Sequence, residues 1–195
     1  FEVVIVDSGS TDLTLEIANE FPTRITHIKK CDFTFGRSLN QGCDLSLGRY
    51  LLFISGHCIP TETTWLRKLI LPLEEGVCDY TYGKQVGASH TKFSEKQIFA
   101  KYFPDKSNLQ QEGFFCNNAN ASIVREKWEK YRFDESLTGL EDMFLAKKIW
   151  AAGGKIGYVA DSCVFHIHNE TWQQIKTRFE RESIALQKIM PEVRI

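Results

Sequence analysis

Val3-Val4-Ile5-Val6-Asp7-Ser8-Gly9-Ser10-Thr11-Asp12 stands almost at the start of the chain, and its reading decides the fold. The unbroken β-branched run is the pattern of a strand buried on both faces, and Asp, Ser and Gly then supply a turn. A helix is predicted next, because Leu13, Ile17 and Phe21 recur every four residues, Ser10 or Thr11 can cap the first turn, and Pro22 stops it. Working outward, Arg24 to Lys29 alternates like a second strand, Ser38 to Gly48 reads as a short polar helix, and Tyr50 to Ile54 is again a buried strand. A helix from Thr63 to Leu71 and a strand from Cys78 to Tyr82 follow. Gly83 to Glu112 is loop-rich, with one helix near Glu95 to Tyr102. Glu141 to Ala152 carries Phe144, Leu145, Ile149 and Ala152 on one helical face and ends at Gly153-Gly154. Lys155 to Val159 and Ser162 to His168 read as strands, and a long last helix shows Trp172, Ile175, Phe179, Leu186 and Ile189 along one face. Strands alternating with helices predict an α/β layered domain with a mostly parallel sheet, whose strand ends are where ligands sit.

The chain has 195 residues, which predicts a single domain over 1–195. With 24 Lys and Arg against 25 Asp and Glu the net charge is -1, so there is no general electrostatic reason to bind a polyanion, and nucleic acid is excluded as the principal partner. No apolar stretch approaches the ~18 residues of a membrane span. Lys176, Arg178, Arg181 and Lys188 would suit a peripheral contact with a membrane, but Glu180 and Glu182 interrupt that face, and packing of Trp172, Ile175 and Phe179 on the core is the preferred reading. Six cysteines without a Cys-x-x-Cys pair read as reduced small hydrophobes, which fits a reducing cytoplasm. The chain does not start with Met and opens directly into a strand, the mark of a fragment or trimmed product.

Four places carry chemistry-bearing side chains. Asp7, where a buried strand meets its turn, can accept hydrogen bonds from a nucleobase or ribose, or can simply cap the turn; spacing leaves both open. Ser55-Gly56-His57-Cys58 follows the strand ending at Ile54 and offers His57 and Cys58 as ligand types, against the bland reading of a loop histidine satisfied by backbone. In an extended Val164-Phe165-His166-Ile167-His168, the histidines at i and i+2 share a face and can converge on a metal or a diphosphate; alternatively one is buried and the other caps a helix starting near Asn169. Glu141-Asp142 opens an apolar-faced helix, where carboxylates suit the macrodipole and also suit a general base at a cleft edge.

Taken in order, Val4-Ile5-Val6-Asp7-Ser8-Gly9-Ser10-Thr11-Asp12, Asn40-Gln41-Gly42 with Gly48-Arg49-Tyr50-Leu51-Leu52-Phe53, Asn117-Asn118-Ala119-Asn120, Gly139-Leu140-Glu141-Asp142 and His166-Ile167-His168 resemble the family 2 glycosyltransferases of the GT-A fold. The resemblance runs from residue 1 to about residue 190. It implies a GT-A-like, Rossmann-like domain that transfers a sugar, usually with inversion, from a nucleotide-sugar to a hydroxyl of a glycan or lipid-linked precursor, and the expected location is the cytoplasm, with its membrane face as an option. On that implication Asp142 is the catalytic base and Glu141 orients the acceptor. Asp7, Ser8, Arg37, Asn40, Ser55 and Gly56 lie at the donor, Asn118 and His168 at the acceptor. A divalent cation, Mn²⁺ or Mg²⁺, balances the leaving diphosphate.

Two departures modify the expectation. Where the family has Asp-x-Asp, this chain has Ser55-Gly56-His57, which looks like the Asp-x-His motif of polypeptide GalNAc-transferases with its Asp replaced. His57 and His166 are therefore expected to take over as metal ligands, a donor set better suited to Mn²⁺ than to Mg²⁺. The family's first strand, ahead of Val3, is absent from this sequence. Both departures keep a second reading in view, a non-catalytic nucleotide-sugar-binding module. A Rossmann-type dehydrogenase is ranked low, because no Gly-x-Gly-x-x-Gly follows a predicted strand.

Overall fold

The computed structural model describes residues 1–192. In chain order its elements are β1 (Val3–Asp7), α1 (Thr14–Asn19), β2 (Thr23–His27), α2 (Phe35–Leu45), β3 (Tyr50–Ile54), β4 (Cys58–Pro60), α3 (Trp65–Glu74), β5 (Tyr80–Val86), α4 (Phe93–Tyr102), β6 (Asn120–Val124), α5 (Arg125–Tyr131), α6 (Glu141–Ala151), β7 (Ile156–His166) and α7 (Trp172–Ile189). Residues 193–195 of the expected domain lie outside the described residues.

Side chains alternate along each central strand, so every strand feeds two layers. Tyr80 and Tyr82 of β5, Ala121 and Ile123 of β6, and Ile156, Tyr158 and Ala160 of β7 join the main core with Trp128 of α5, Leu145 and Ile149 of α6, and Phe99 of α4. The intervening residues face α3: the Thr81 hydroxyl donates to the Leu69 carbonyl at 2.8 Å, the Ser162 hydroxyl to the Trp65 carbonyl at 3.1 Å, and the Trp65 indole N–H to Asn120 Oδ1 at 2.8 Å. The layered α/β architecture is therefore as expected, but the sheet is mixed rather than mostly parallel. The main sheet runs β3-β6-β5-β7-β4, and only β5 and β7 pair parallel in it. The cause is β6, which enters antiparallel between β3 and β5. Its sequence, Asn-Ala-Ser-Ile-Val, hides the strand because its polar residues satisfy α3 and neighbouring backbone instead of facing water.

β1 and β2 form a separate parallel pair, and β1 rests on α2. Here the expected helix face fails: Leu13, Ile17 and Phe21 are exposed, and only Ala18 of α1 is buried. Ser10 and Thr11 do not cap α1; Asp12 Oδ1 accepts the Thr14 N–H at 3.0 Å. α2 starts three residues before the expected Ser38 because the Thr34 hydroxyl caps it, accepting the Arg37 N–H at 3.1 Å. On α7 the preferred packing also fails, since Trp172 is 72% exposed and Phe179 45%, whereas Ala185 and Ile189 are buried. Bidentate pairing of Arg178 with Glu170 anchors its first half instead.

The two predicted strands at 155–168 are a single long one, β7, whose register against β5 shifts between Gly83 and Lys84. At that shift a Cβ on Gly83 would lie 2.3 Å from the Ser162 carbonyl oxygen and 2.3 Å from Asn120 Nδ2. Gly83→Ala is therefore expected to cost about 1–3 kcal/mol, the usual range for overpacking a filled core. A urea midpoint equal to that of the unsubstituted protein would contradict this packing.

Candidate active site

The segment 117–119, just before β6, is the hub of the site. The Asn118 N–H donates to Asp142 Oδ2 at 2.8 Å, and the Ala119 carbonyl accepts the Ser55 N–H at 3.3 Å. Asn117 Oδ1 accepts from Gln85 Nε2 at 2.9 Å, while Gln85 Oε1 lies 2.7 Å from His166 Nδ1. His166 Nε2 in turn stands 2.8 Å from His57 Nε2. Hydrogen bonds from the adjacent residues Asn118 and Asn117 thus tie this segment both to the acid at the start of α6 and, through Gln85, to the histidines after β3 and at the end of β7.

Glu141 and Asp142 are each 7% exposed. Asp142 also accepts the Met143 N–H at 2.7 Å, and no side chain from position 140 caps α6. Burial lifts both carboxyls above the ordinary carboxylate range; for Glu141 the neighbouring Asp142 adds to the lift, and for Asp142 the two backbone N–H donors oppose it. Leu140, immediately before the pair, holds a left-handed backbone with φ 56°, which costs a non-glycine residue roughly 1 kcal/mol. Strain of this kind is concentrated at functional sites. The Asn118 side-chain carbonyl accepts from the Tyr80 hydroxyl, and its Nδ2 is buried with no partner.

The histidines form a cluster of three. The ring centroids of His166 and His168 are 4.1 Å apart, those of His57 and His168 5.0 Å, and one ligand nitrogen from each ring lies within 4.8 Å of the others. His168, expected at the acceptor, is drawn instead to the other two, its Nδ1 bonded to the Glu95 carboxylate from α4. Neither His166 nor His168 caps the last helix; Thr171 does, in a capping box with Gln174. Burial, then the charges of His168 and His57, push the His166 imidazole down to about 3, so it is a neutral nitrogen donor at neutral pH. Cys58 is a thiol pushed up to about 12 by burial and contributes no thiolate. Nitrogen donors without a carboxylate among them fit a divalent ion of borderline softness, and fit Mg²⁺ poorly.

At the donor end the expectations divide. Asp7 makes its turn: Oδ2 accepts the Gly9 N–H at 2.9 Å and Oδ1 the Ser10 N–H at 3.0 Å, and the Ser10 hydroxyl first, then these backbone donors, hold its carboxyl down at about 2. Ser8 is half-buried beside it, and Ser55 and Gly56 form the turn before β4 in which the Cys58 N–H donates to the Ser55 carbonyl at 2.9 Å. Arg37 pairs on the surface with Glu135 at 3.1 Å. Asn40 is a correction. It is 3% exposed, and its amide is saturated by Trp128, Phe133 and Glu135, which leaves nothing to offer a nucleotide. Gln85 and Glu95 were not legible as site residues, although a glutamine inside an otherwise strand-like run is the signal that marks the first.

This arrangement on a mixed sheet defines the GT-A class of glycosyltransferase. Solved structures share the fold: the mannosyltransferase PcManGT from Pyrobaculum calidifontis in complex with GDP-Man and Mn²⁺ matches with a TM-score of 0.70 at 16% identity, over 98% of this chain and 54% of that one. TarS from S. aureus in complex with UDP-GlcNAc matches at 0.67 and 16%, over 97% and 58%. The model of Glycosyl transferase family 2 matches residues 1–132, and the chain belongs to that family. An O-antigen chain rhamnosyltransferase of Salmonella typhimurium is 27% identical over 183 residues, 87% of this chain and 58% of the relative. A PGL/p-HBAD biosynthesis glycosyltransferase of Mycobacterium tuberculosis is 43% identical over 58 residues, 28% of this chain and 23% of the relative. The chain thus spans 58% of the length of the Salmonella relative. Among the described residues no helix is long and apolar enough to cross a membrane.

Proposed function

We propose that residues 1–195 act as one catalytic unit of an inverting glycosyltransferase, moving a sugar from a nucleoside-diphosphate sugar to a hydroxyl of a glycan or lipid-linked precursor at the cytoplasmic face of a membrane. The observation that carries this reading is the segment 117–118, which bonds Asp142 through the Asn118 N–H and reaches His166 through Asn117 and Gln85, because transfer needs a base and a diphosphate site within one substrate's reach. The acceptor oxygen bonds to the anomeric carbon as the bond from that carbon to the diphosphate oxygen breaks. The diphosphate leaves with the electron pair, and the hydroxyl proton passes to the Asp142 carboxylate. A single displacement of this kind inverts the anomeric centre.

Asn118, whose backbone N–H bonds Asp142 and whose Nδ2 has no partner, would orient the acceptor hydroxyl, and Glu141 would orient the acceptor with it. Asp7, with Ser8, offers its remaining lone pairs to base or ribose, and Arg37, Ser55 and Gly56 border the donor. A cation held by His57 and His166 would neutralise charge on the departing diphosphate. The Mn²⁺ in PcManGT supports a divalent ion, and the Salmonella relatives make a rhamnosyl donor the first to try.

A thermal-shift screen of UDP-, GDP- and dTDP-sugars, with and without Mn²⁺, tests the reading. One nucleotide class is expected to raise the Tm, by an amount equivalent to about 2.7 kcal/mol at a hundredfold excess over Kd. No stabilisation by any donor would refute it. Stabilisation without release of nucleoside diphosphate would favour the non-catalytic module, which the serine at position 55 also favours.

A further inference from the structure

We propose that His57, His166 and His168 together form a three-imidazole site for a borderline divalent cation of the Mn²⁺, Co²⁺ or Zn²⁺ type, and that Gln85 and Glu95 are positioning residues that fix the rings for it. The inference deepens the reading above, in which the donor diphosphate lies against this cluster.

The argument starts from a backbone N–H, whose direction is not in question. Ala119 N–H donates to Asn117 Oδ1 at 3.0 Å, so that atom is the oxygen of the amide. Gln85 therefore presents its Nε2 to Asn117 and its Oε1 to His166 Nδ1. An amide oxygen accepts only, so the His166 proton sits on Nδ1 and the lone pair on Nε2. The His168 Nδ1 faces the Glu95 carboxylate, an acceptor, so Nδ1 carries a proton and Nε2 is the nitrogen left to face a ligand. Glu95 is backed by Arg178 at 4.0 Å, which Glu170 grips at 2.8 Å.

His57 Nε2 lies 2.8 Å from that of His166, a hydrogen-bond separation at which a neutral His57 supplies the proton. The three rings each present a ligand nitrogen within 4.8 Å of the others, and a cation held by them would take the place of that proton as the two nitrogens spread. Ligating histidines whose other nitrogen is held by an amide or carboxylate oxygen are the usual pattern of a built metal site.

Co²⁺ alone, added to chelator-treated protein without nucleotide and followed by visible absorption and calorimetry, reads the site. The protein is expected to take up about one Co²⁺ per chain, and an equal concentration of Mg²⁺ should not displace it. Glu95→Ala and Gln85→Leu are expected to weaken Co²⁺ binding by about 10- to 100-fold, and Glu95→Gln, which keeps an acceptor oxygen, by clearly less. His168→Asn should weaken it at least as much as Glu95→Ala. Circular dichroism identifies variants that remain folded, and because Glu95 and His168 are only partly buried, their variants test the proposal even where Gln85→Leu does not fold. No Co²⁺ uptake, displacement by equimolar Mg²⁺, or unchanged affinity in folded His168→Asn and Glu95→Ala would overturn it. Nucleotide-sugar binding measured by the thermal-shift screen separates the two readings: Co²⁺ bound without any nucleotide leaves the three-imidazole site and removes the donor reading, and nucleotide bound without Co²⁺ does the reverse.

Discussion

Asp142→Asn is expected to leave donor binding within a few-fold of the unsubstituted protein and to lower kcat by about 10²- to 10⁴-fold, the contribution of a positioned general base. Asparagine keeps the size of the side chain and one acceptor oxygen for the Asn118 N–H, but it cannot take the acceptor's proton. The pH dependence supplies an independent check. Burial raises the Asp142 carboxyl, so it still holds its proton at a pH where an exposed aspartate has lost it. The base form appears only as pH climbs through the raised value. The rate of the unsubstituted protein should therefore rise with pH on the acid side of neutrality, and the residual rate of Asp142→Asn should lack that limb. Transfer measured at saturating donor across that range decides the matter. A rate that survives the substitution removes Asp142 as the base while leaving the fold and the histidine cluster untouched.

Asn40→Ala is expected to lower stability by about 3–5 kcal/mol, from the loss of several buried hydrogen bonds at once. Asn40 Nδ2 donates to the Phe133 carbonyl at 3.0 Å and to Glu135 Oε1 at 3.0 Å, while Oδ1 accepts from Trp128 Nε1 at 3.0 Å and from the Phe133 N–H at 3.1 Å. A side-chain amide has two donors and two acceptor sites, and all are used. Alanine leaves Trp128, itself 2% exposed, with an indole N–H facing no partner. Asn40 joins α2 to the segment leading into α6, so its loss should also loosen the approach to Glu141 and Asp142. Denaturant unfolding checks the magnitude. If stability stays unchanged while donor affinity falls, Asn40 belongs to the nucleotide pocket, as its place in the Asn40-Gln41-Gly42 motif suggested.

Much of the framework was already written in local pattern. The run Val3 to Val6 lies in β1, although Val3 is exposed and the rest half-buried rather than buried on both faces, because β1 has only β2 beside it. Tyr50 to Ile54 is β3 to the residue, and the helix over Glu141 to Ala151 follows from its apolar spacing and the glycines behind it. Such features depend on neighbours in sequence, so a single chain declares them. The acid pair and the histidines were legible for the same reason, since each lies where a regular element begins or ends.

Partners distant in sequence were not legible. β6 is a strand whose polar residues face α3, so no periodicity marked it. The stripes on α1 and α7 predicted burial, yet Phe21 and Trp172 are exposed, because an apolar face is buried only where another surface meets it. Position 40 lay within a family motif and became a structural amide, and position 168, expected at the acceptor, stands beside His57 and His166. In sequence, Gln85 and Glu95 stand far from His166 and His168, and only the pairing of β5 with β7 and the docking of α4 bring them to the rings. The chain by itself determined which residue types stand at the ends of which elements. Which nitrogen of each imidazole carries its proton was decided by packing alone, because a tautomer follows from the atom across the hydrogen bond, and that atom is supplied by a strand or helix some eighty residues away in sequence at His166 and about seventy at His168.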